Sequence, residues 1–303
     1  MAESPYAVPD SPYRVGYDGG FRLRKAATGA PSAVPDKEAR IRLLNERVAE
    51  LDELQRMLYA DNRHAVLLVF QAMDAAGKDS TIRAVLSGVD PAGCQVTSFK
   101  RPSEHELDHD FLWRHQHALP ERGRIGVFNR SWYEEVLAVR VHPEYIERQR
   151  LPRTPKALAD LWHERYESIN EFEQHLARNG TLVLKFWLNV SRDEQRERLL
   201  ARLDEPEKNW KFDAFDLGER EHWDAYMDAY EDALKATSRP WAPWYAIPAD
   251  SKSWMRYCVA DVVVRALRNL KLEYPRPAPD LKARMDEYRK TLKSGRRNNG
   301  RKA

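Results

Sequence analysis

Five short runs rich in apolar and β-branched residues recur along the chain. They are AVLLVF at 65–70, Gln95 to Phe99, Arg124 to Phe128, TLVLKFWLNV at 181–190 and WYAIPA at 244–249. Their length and flanking turn residues predict strands. Between them the apolar positions recur at helical spacing. Ile41, Leu44, Val48, Leu51, Leu54 and Leu58 predict a helix from Asp36, a plausible N-cap, to Ala60, ahead of the first strand. Further helices are expected from near Lys78 to Ser87-Gly88, from Glu104 to Ala118 and from Leu158 to Asn179. Ser191-x-x-Glu194 reads as a capping box opening a helix through Leu203, and a helix from Met255 to Leu270 closes the domain. Strands alternating with helices predict an α/β fold, a parallel five-stranded sheet covered by helices on both faces.

Composition refines this picture in three places. Residues 1–36 are rich in Pro, Gly, Ala and Ser and read as an arm without a core of its own, although Tyr13, Val15, Phe21 and Leu23 could lay part of it against the domain. The domain proper spans 37–275. Residues 276–303 are polar and basic, and a helix fraying into a disordered tail is expected there. The formal net charge is only +3, from 50 basic and 47 acidic side chains, so basicity matters locally, and a nucleic-acid role for the tail is disfavoured. Cys94 and Cys258, the two cysteines, suggest buried thiols in a reducing compartment. The apolar runs are far below a membrane span and the first residues lack a signal-peptide pattern, so a cytoplasmic protein is expected.

The chemistry gathers first in FQAMDAAGKDST, residues 70–81, directly after the first strand. A strand, a loop of small residues and Gly77-Lys78 opening a helix is how a phosphate-binding P-loop is built. Ala72 stands where the first Gly of the usual pattern belongs, and Asp79 where a Ser or Thr would hold Mg²⁺. Asp74 would repel a tightly cradled triphosphate, so it suits a metal ion or the orientation of an attacking phosphate oxygen; a hydrogen bond to its own loop is the structural alternative. Asp79 could equally complement the helix dipole, and Ser80 and Thr81 could ligate or cap. The third strand ends in GVFNRSWYEE, which puts Asn129, a neutral oxygen donor, and Arg130, an anion clamp, at the sheet's ligand-binding edge, with Glu134 and Glu135 starting a helix. Lys100 and Arg101 end the second strand. After the fourth come Arg192 with Arg196 and Arg198 with Arg202, each pair on one helix face. A polar block at 204–220 with Lys208 and Lys211 has the look of a lid bearing cations over phosphate. His105 and His109 fit an exposed face better than a metal site.

These segments together resemble the polyphosphate kinase 2 family. The resemblance runs from about Tyr13 to Tyr274, and its blocks include FQAMDAAGKDSTIRAVLSGVDPAG, SFKRPSEHELDHDFLWR, GVFNRSWYEEVLAVRVHP, LKFWLNVSRDEQRERL, LDEPEKNWKF and APWYAIPAD. Lys-Asp after the loop Gly and FNRS look most like the subgroup called class III, while Trp132 and Glu135 stand where His and Asp are expected. The resemblance implies a thymidylate-kinase-like α/β/α sandwich with a helical lid. It also implies reversible transfer of a terminal phosphoryl group from inorganic polyphosphate to AMP or ADP, giving ADP or ATP, with Mg²⁺ (or Mn²⁺) as cofactor and a homodimer or homotetramer as assembly. By position Asp74, Lys78 and Arg130 are the candidate catalytic residues, and Asp74, Asn129 and Glu134 the candidate metal ligands. Candidate phosphate contacts are Ala75, Ala76, Gly77, Lys78, Asp79 and Ser80 in the loop, with Lys100, Arg101, Arg130, Arg192, Lys208 and Lys211 around it. Asn129, Tyr133, Glu134 and Arg140 are the candidate nucleotide contacts. Two rival readings are an ATP-dependent nucleoside monophosphate kinase on the same fold and a non-enzymatic polyanion-binding protein using the basic tail.

Overall fold

The computed structural model describes residues 5–152 and 158–298, in two units, Met1–Leu272 and Glu273–Ala303. In the first unit α1 (Lys37–Asp61) begins where the Asp36 carboxylate accepts from the Ala39 N–H at 2.8 Å, and ends where Asn62 turns left-handed at φ 51°. The chain continues through β1 (Ala65–Gln71), α2 (Lys78–Val85), β2 (Cys94–Ser98), single turns α3 (Glu104–Leu107) and α4 (Trp113–Gln116), and β3 (Ile125–Asn129). Then come the short α5 (Ala138–Val141) and α6 (Tyr145–Arg148), the long α7 (Leu158–Arg178), β4 (Thr181–Asn189) and α8 (Arg192–Asp204). Last are α9 (Phe215–Glu221), α10 (Trp223–Thr237), β5 (Trp244–Pro248) and α11 (Lys252–Asn269).

The five strands form one parallel sheet in the order β2-β3-β1-β4-β5. β1 is central and every one of its residues is buried, as a strand flanked on both sides and covered on both faces must be. Register places Phe70 beside Asn129 on one side and Phe186 on the other. The rings of Phe70, Phe186 and Tyr245 stack across three strands, with centroids 5.1 and 5.7 Å apart. Such pairs add about 0.5–1.5 kcal/mol each beyond burial, and this row stiffens the floor on which the loop after β1 stands. α1, α2 and α11 pack together on one face, and α7 and α10 on the other. Because all strands run the same way, their carboxyl ends, and the loops that follow, meet along one edge.

The outer edge of β5 is covered by the N-terminal segment. Val15 N–H donates to Trp244 O (2.9 Å) and Ala246 N–H to Tyr13 O (2.8 Å), while Tyr6 and Val15 are buried. A covered edge is closed to pairing with another strand.

Three elements differ from expectation. The helix expected over 104–118 is broken into α3 and α4, because the Asp110 carboxylate accepts from the Leu112 N–H at 2.9 Å and forms a turn that competes with the helix. Only half of the capping box at α8 forms. Ser191 Oγ accepts from the Glu194 N–H (3.1 Å), but the Ser191 N–H is taken by Asp250 (2.8 Å) and the Glu194 carboxylate by Arg198 (2.8 Å). The last helix starts at Lys252, three residues before Met255.

In the second unit α12 (Pro279–Asn298) is a continuous helix on which Leu281, Met285, Tyr288 and Leu292 are exposed. The expected frayed end at 299–303 lies outside the described residues. Among the described residues no helix is long and apolar enough to cross a membrane.

Candidate active site

The loop between β1 and α2 is shaped by two residues with positive φ, Ala75 at 61° and Gly77 at 104°. Gly77 has little alternative: its φ strains any L side chain, and a Cβ there would meet Met255 Cε at 3.3 Å and Ser80 Oγ at 3.4 Å. The Lys78 ammonium folds back across the loop and donates to Ala72 O at 2.8 Å. Burial pushes its pKa down, Asp74 opposes that, and Arg130 adds to it. From behind, α8 braces the loop. Gln195 donates to Asp74 O (3.0 Å), and Arg198 donates to Ala76 O (2.7 Å) and Ala75 O (3.3 Å) while its other terminal nitrogen reaches Ala249 O (2.7 Å) and Asp250 O (3.2 Å).

The segment after β3 meets the loop from the side. Arg130 takes a left-handed conformation (φ 65°), its N–H donates to Phe70 O (3.0 Å), and its guanidinium donates to the Asp74 carboxylate at 2.9 Å. Its pKa is raised, first by Glu134, with burial opposing and Asp74 assisting. The Asn129 amide donates to the Asp79 carboxylate. Turned so that both its ends find partners, the buried Gln71 amide donates to Glu134 at 2.9 Å and accepts from the Ser131 N–H at 3.1 Å. Asp74, Asp79 and Glu134 therefore face Lys78 and Arg130 across one small volume, an arrangement that can hold phosphoryl oxygens and a hard cation at once. A pocket opens beside it, floored by Met73 and Phe99, rimmed by Lys100, Arg101 and Arg148, and roofed by Phe215 and Glu219 of α9.

The sequence model of polyphosphate kinase 2 matches residues 35–275. The chain belongs to the polyphosphate kinase 2 family. It is 54% identical over 280 residues to the ADP-polyphosphate phosphotransferase of Rhodopseudomonas palustris, covering 92% of this chain and 97% of that protein. It is 45% identical over 266 residues to the AMP/ADP-polyphosphate phosphotransferase of Meiothermus ruber, covering 88% and 95%. The crystal structure of polyphosphate kinase 2 from Arthrobacter aurescens superposes with a TM-score of 0.83 at 39% identity, over 95% of this chain and all of that one.

Not every residue singled out from the sequence of this polyphosphate kinase 2 faces the site. Asp74, Lys78, Asp79, Asn129, Arg130 and Glu134 come together as described, and Lys100 and Arg101 line the pocket, Arg101 over the Phe215 ring at 4.7 Å. Ser80 Oγ is turned to Gly77 O (3.0 Å), and Ala76 is buried beneath the loop. Tyr133 is a correction: its side chain is fully buried, donating to Glu173 (2.8 Å) and accepting from Lys185 (2.8 Å), so it is no nucleotide contact. Arg140 is tied to Tyr166 (2.9 Å) and Asp232 (2.7 Å), outside the pocket lining. Glu135 sits not on an exposed helix turn but in a 3₁₀ turn, where its buried carboxylate pairs with Arg165 at 3.1 Å. Lys208 pairs with Glu205, Lys211 stands over the Trp210 ring, and Arg192 gives its carbonyl to Arg220 (2.8 Å). Of the supposed cation rows, Arg198 is the loop brace and Arg202 pairs with Asp216 of α9 at 2.6 Å. Sequence reasoning missed the pocket's far wall, His142, Glu219 and Tyr226. His142 Nε2 lies 3.0 Å from Glu219, to which Tyr226 also donates. His142 stands 77 positions before Glu219, with no shared period to reveal them.

Proposed function

We propose that this chain transfers the terminal phosphoryl group of inorganic polyphosphate to ADP, AMP or both, in a single in-line step. The observation that carries the reading is the Asp74–Arg130 pair set against Lys78 and Glu134 at the mouth of the loop. Phosphoryl transfer asks for positioning and charge neutralisation rather than a covalent nucleophile. Lys78 and Arg130 supply donors for the equatorial oxygens of the moving group. Asp74 fixes the Arg130 fork in one orientation, and the loop N–H groups at the start of α2 receive the anion. The pocket beside Arg130, with cations at its rim and aromatic rings within, suits a nucleotide whose phosphates point at the loop.

Asp74, Asn129 and Glu134 offer hard oxygen donors of the kind Mg²⁺ or Mn²⁺ takes. Among the described residues no three His, Cys, Asp or Glu cage a metal by themselves. That fits an ion held by one or two carboxylates together with phosphate and water. When bound, such an ion contributes positive charge that the site otherwise lacks, since three carboxylates there outnumber two cations.

The test is product analysis with Mg²⁺ present: polyphosphate with ADP, polyphosphate with AMP, and ATP with AMP. ATP from the first or ADP from the second supports the proposal, and EDTA should abolish either. Transfer from ATP to AMP with none from polyphosphate would instead establish a nucleoside monophosphate kinase.

A further inference from the structure

A tyrosine in a protein interior gains from burying its ring but loses the water on its hydroxyl, so the O–H ordinarily finds a partner. Here Tyr133 donates to Glu173 (2.8 Å), Tyr245 to Pro9 O (3.0 Å) and Tyr226 to Glu219, while Tyr166 accepts from Arg140 (2.9 Å) and Tyr6 meets His64 (3.5 Å). Tyr230 is the exception. It is only 3% exposed, yet its hydroxyl has no hydrogen-bond partner among the described residues.

Tyr230 stands on α10 one turn after Tyr226, and both line the pocket beside Arg130. Its ring lies against Trp187 of β4, with centroids 5.4 Å apart, so the side chain is held in place. The charges that act on its hydroxyl are those at the mouth of the loop. Burial raises its pKa well above the ordinary tyrosine value, Glu134 and then Asp74 raise it further, and Arg130 opposes them. The hydroxyl therefore stays protonated, a neutral donor. Neither carboxylate takes its hydrogen bond: Asp74 is engaged by Arg130 (2.9 Å) and Glu134 by the Gln71 amide (2.9 Å). A phenylalanine would pack on Trp187 equally well. What the hydroxyl adds is a donor left open where the pocket meets the loop.

We infer that Tyr230 donates to the terminal phosphate of the acceptor nucleotide, the β-phosphate of ADP or the α-phosphate of AMP, and so aims the attacking oxygen at the moving phosphoryl group. This rests on the proposed reaction and names the side chain that positions its nucleophile. In the step itself the acceptor oxygen forms the new P–O bond as the anhydride P–O bond to the shortened chain breaks, and the tyrosine proton stays where it is. The neutrality of the donor matters. A cation at that point would draw charge from the oxygen that has to attack, whereas a hydroxyl orients the oxygen and leaves its charge largely in place.

The test is Tyr230→Phe, which removes the hydroxyl and keeps the ring on Trp187. Loss of a hydrogen bond to a charged phosphate should lower kcat/KM for ADP or AMP by about tenfold to a hundredfold. The KM for polyphosphate should stay within about twofold, and the melting temperature within about 2 °C of wild type. Turnover within about twofold of wild type overturns the inference. So does a loss that comes with a lower melting temperature and an equal rise in the KM for polyphosphate, because the hydroxyl would then be serving the fold. Calorimetric titration with ADP and with AMP separates the contact from the reaction. Nucleotide binding weakened by Tyr230→Phe in a protein that transfers nothing from polyphosphate upholds the contact and sinks the proposed reaction. Transfer and nucleotide binding both indifferent to the substitution sink the contact alone.

Discussion

Replacing Arg198 by Lys is the sharpest test of how the loop is held, because it keeps the charge and removes only the fork. In the native protein all the N–H groups of this guanidinium are used: Nε on Glu194 (2.8 Å), Nη1 on Ala76 O and Ala75 O, and Nη2 on Ala249 O and Asp250 O. A lysine has three donors on a flexible stem, so at least two acceptors lose their partner. With hydrogen bonds to a charged donor contributing about 1.5–3 kcal/mol each, the loss is about 3 kcal/mol at its lower end. For a domain of this size that lowers Tm by about 6–12 °C. The same substitution unties the loop carbonyls from the turn before α11, and a displacement of about 1 Å in the phosphate cradle costs on the order of a hundredfold in rate. The assays are thermal denaturation and steady-state phosphotransfer from polyphosphate, with the Lys variant compared against Arg198→Met. If Arg198→Lys melts within about 1 °C of wild type and keeps kcat/KM within about twofold, the bracing role is wrong, and proximity of positive charge is all that the loop requires.

Asp74→Asn keeps the shape of the loop and should cut kcat by about 10²–10³, while the half-exposed pair with Arg130 leaves thermal stability within about 1 kcal/mol; near-native turnover would remove Asp74 from the mechanism. Lys185→Met strands the fully buried Glu173 with, among the described residues, only Trp132 and Tyr133 as donors and should cost about 3–5 kcal/mol in urea unfolding, part of which Lys185→Met/Glu173→Leu recovers. A double variant no more stable than the single would contradict that account. His115 is buried, with Nδ1–H donating to Phe111 O (3.1 Å) and Nε2 without a partner among the described residues, and burial pushes its pKa down to about 3. The unfolded chain therefore binds the extra proton between pH 6.5 and 3. Stability should fall there by up to about 1.4 kcal/mol per pH unit as pH drops. His115→Gln should flatten that limb relative to wild type in pH-dependent urea melts.

The strands were readable because a parallel sheet demands locally what it is globally. Even the half-exposed β2 is delimited by DPAG before it and Lys100-Arg101-Pro102 after it. The loop was readable for a related reason, since Gly77 and Lys78 act through their own backbone and the helix they open. What the sequence concealed is everything decided by the third dimension. Tyr133 and Glu134 are neighbours in a 3₁₀ turn with about three residues per turn, so one enters the core and the other the site. Nothing in WYEE says which. Arg198 read only as one of two cations on a helix face, because four of its five acceptors are backbone carbonyls of two distant loops, which carry no side-chain signature.

Asp79 shows the same limit from the opposite direction. As a first-turn acid it could equally complement the helix dipole, yet its carboxylate takes the Asn129 amide from a strand end 50 residues away. That bond turns the Asn129 amide nitrogen toward Asp79 and frees the amide oxygen, the one side-chain atom of Asn129 able to ligate a cation. Asp after the loop Lys and Asn at the end of the third strand are thus one device. Either substitution alone would leave the other side chain without its partner.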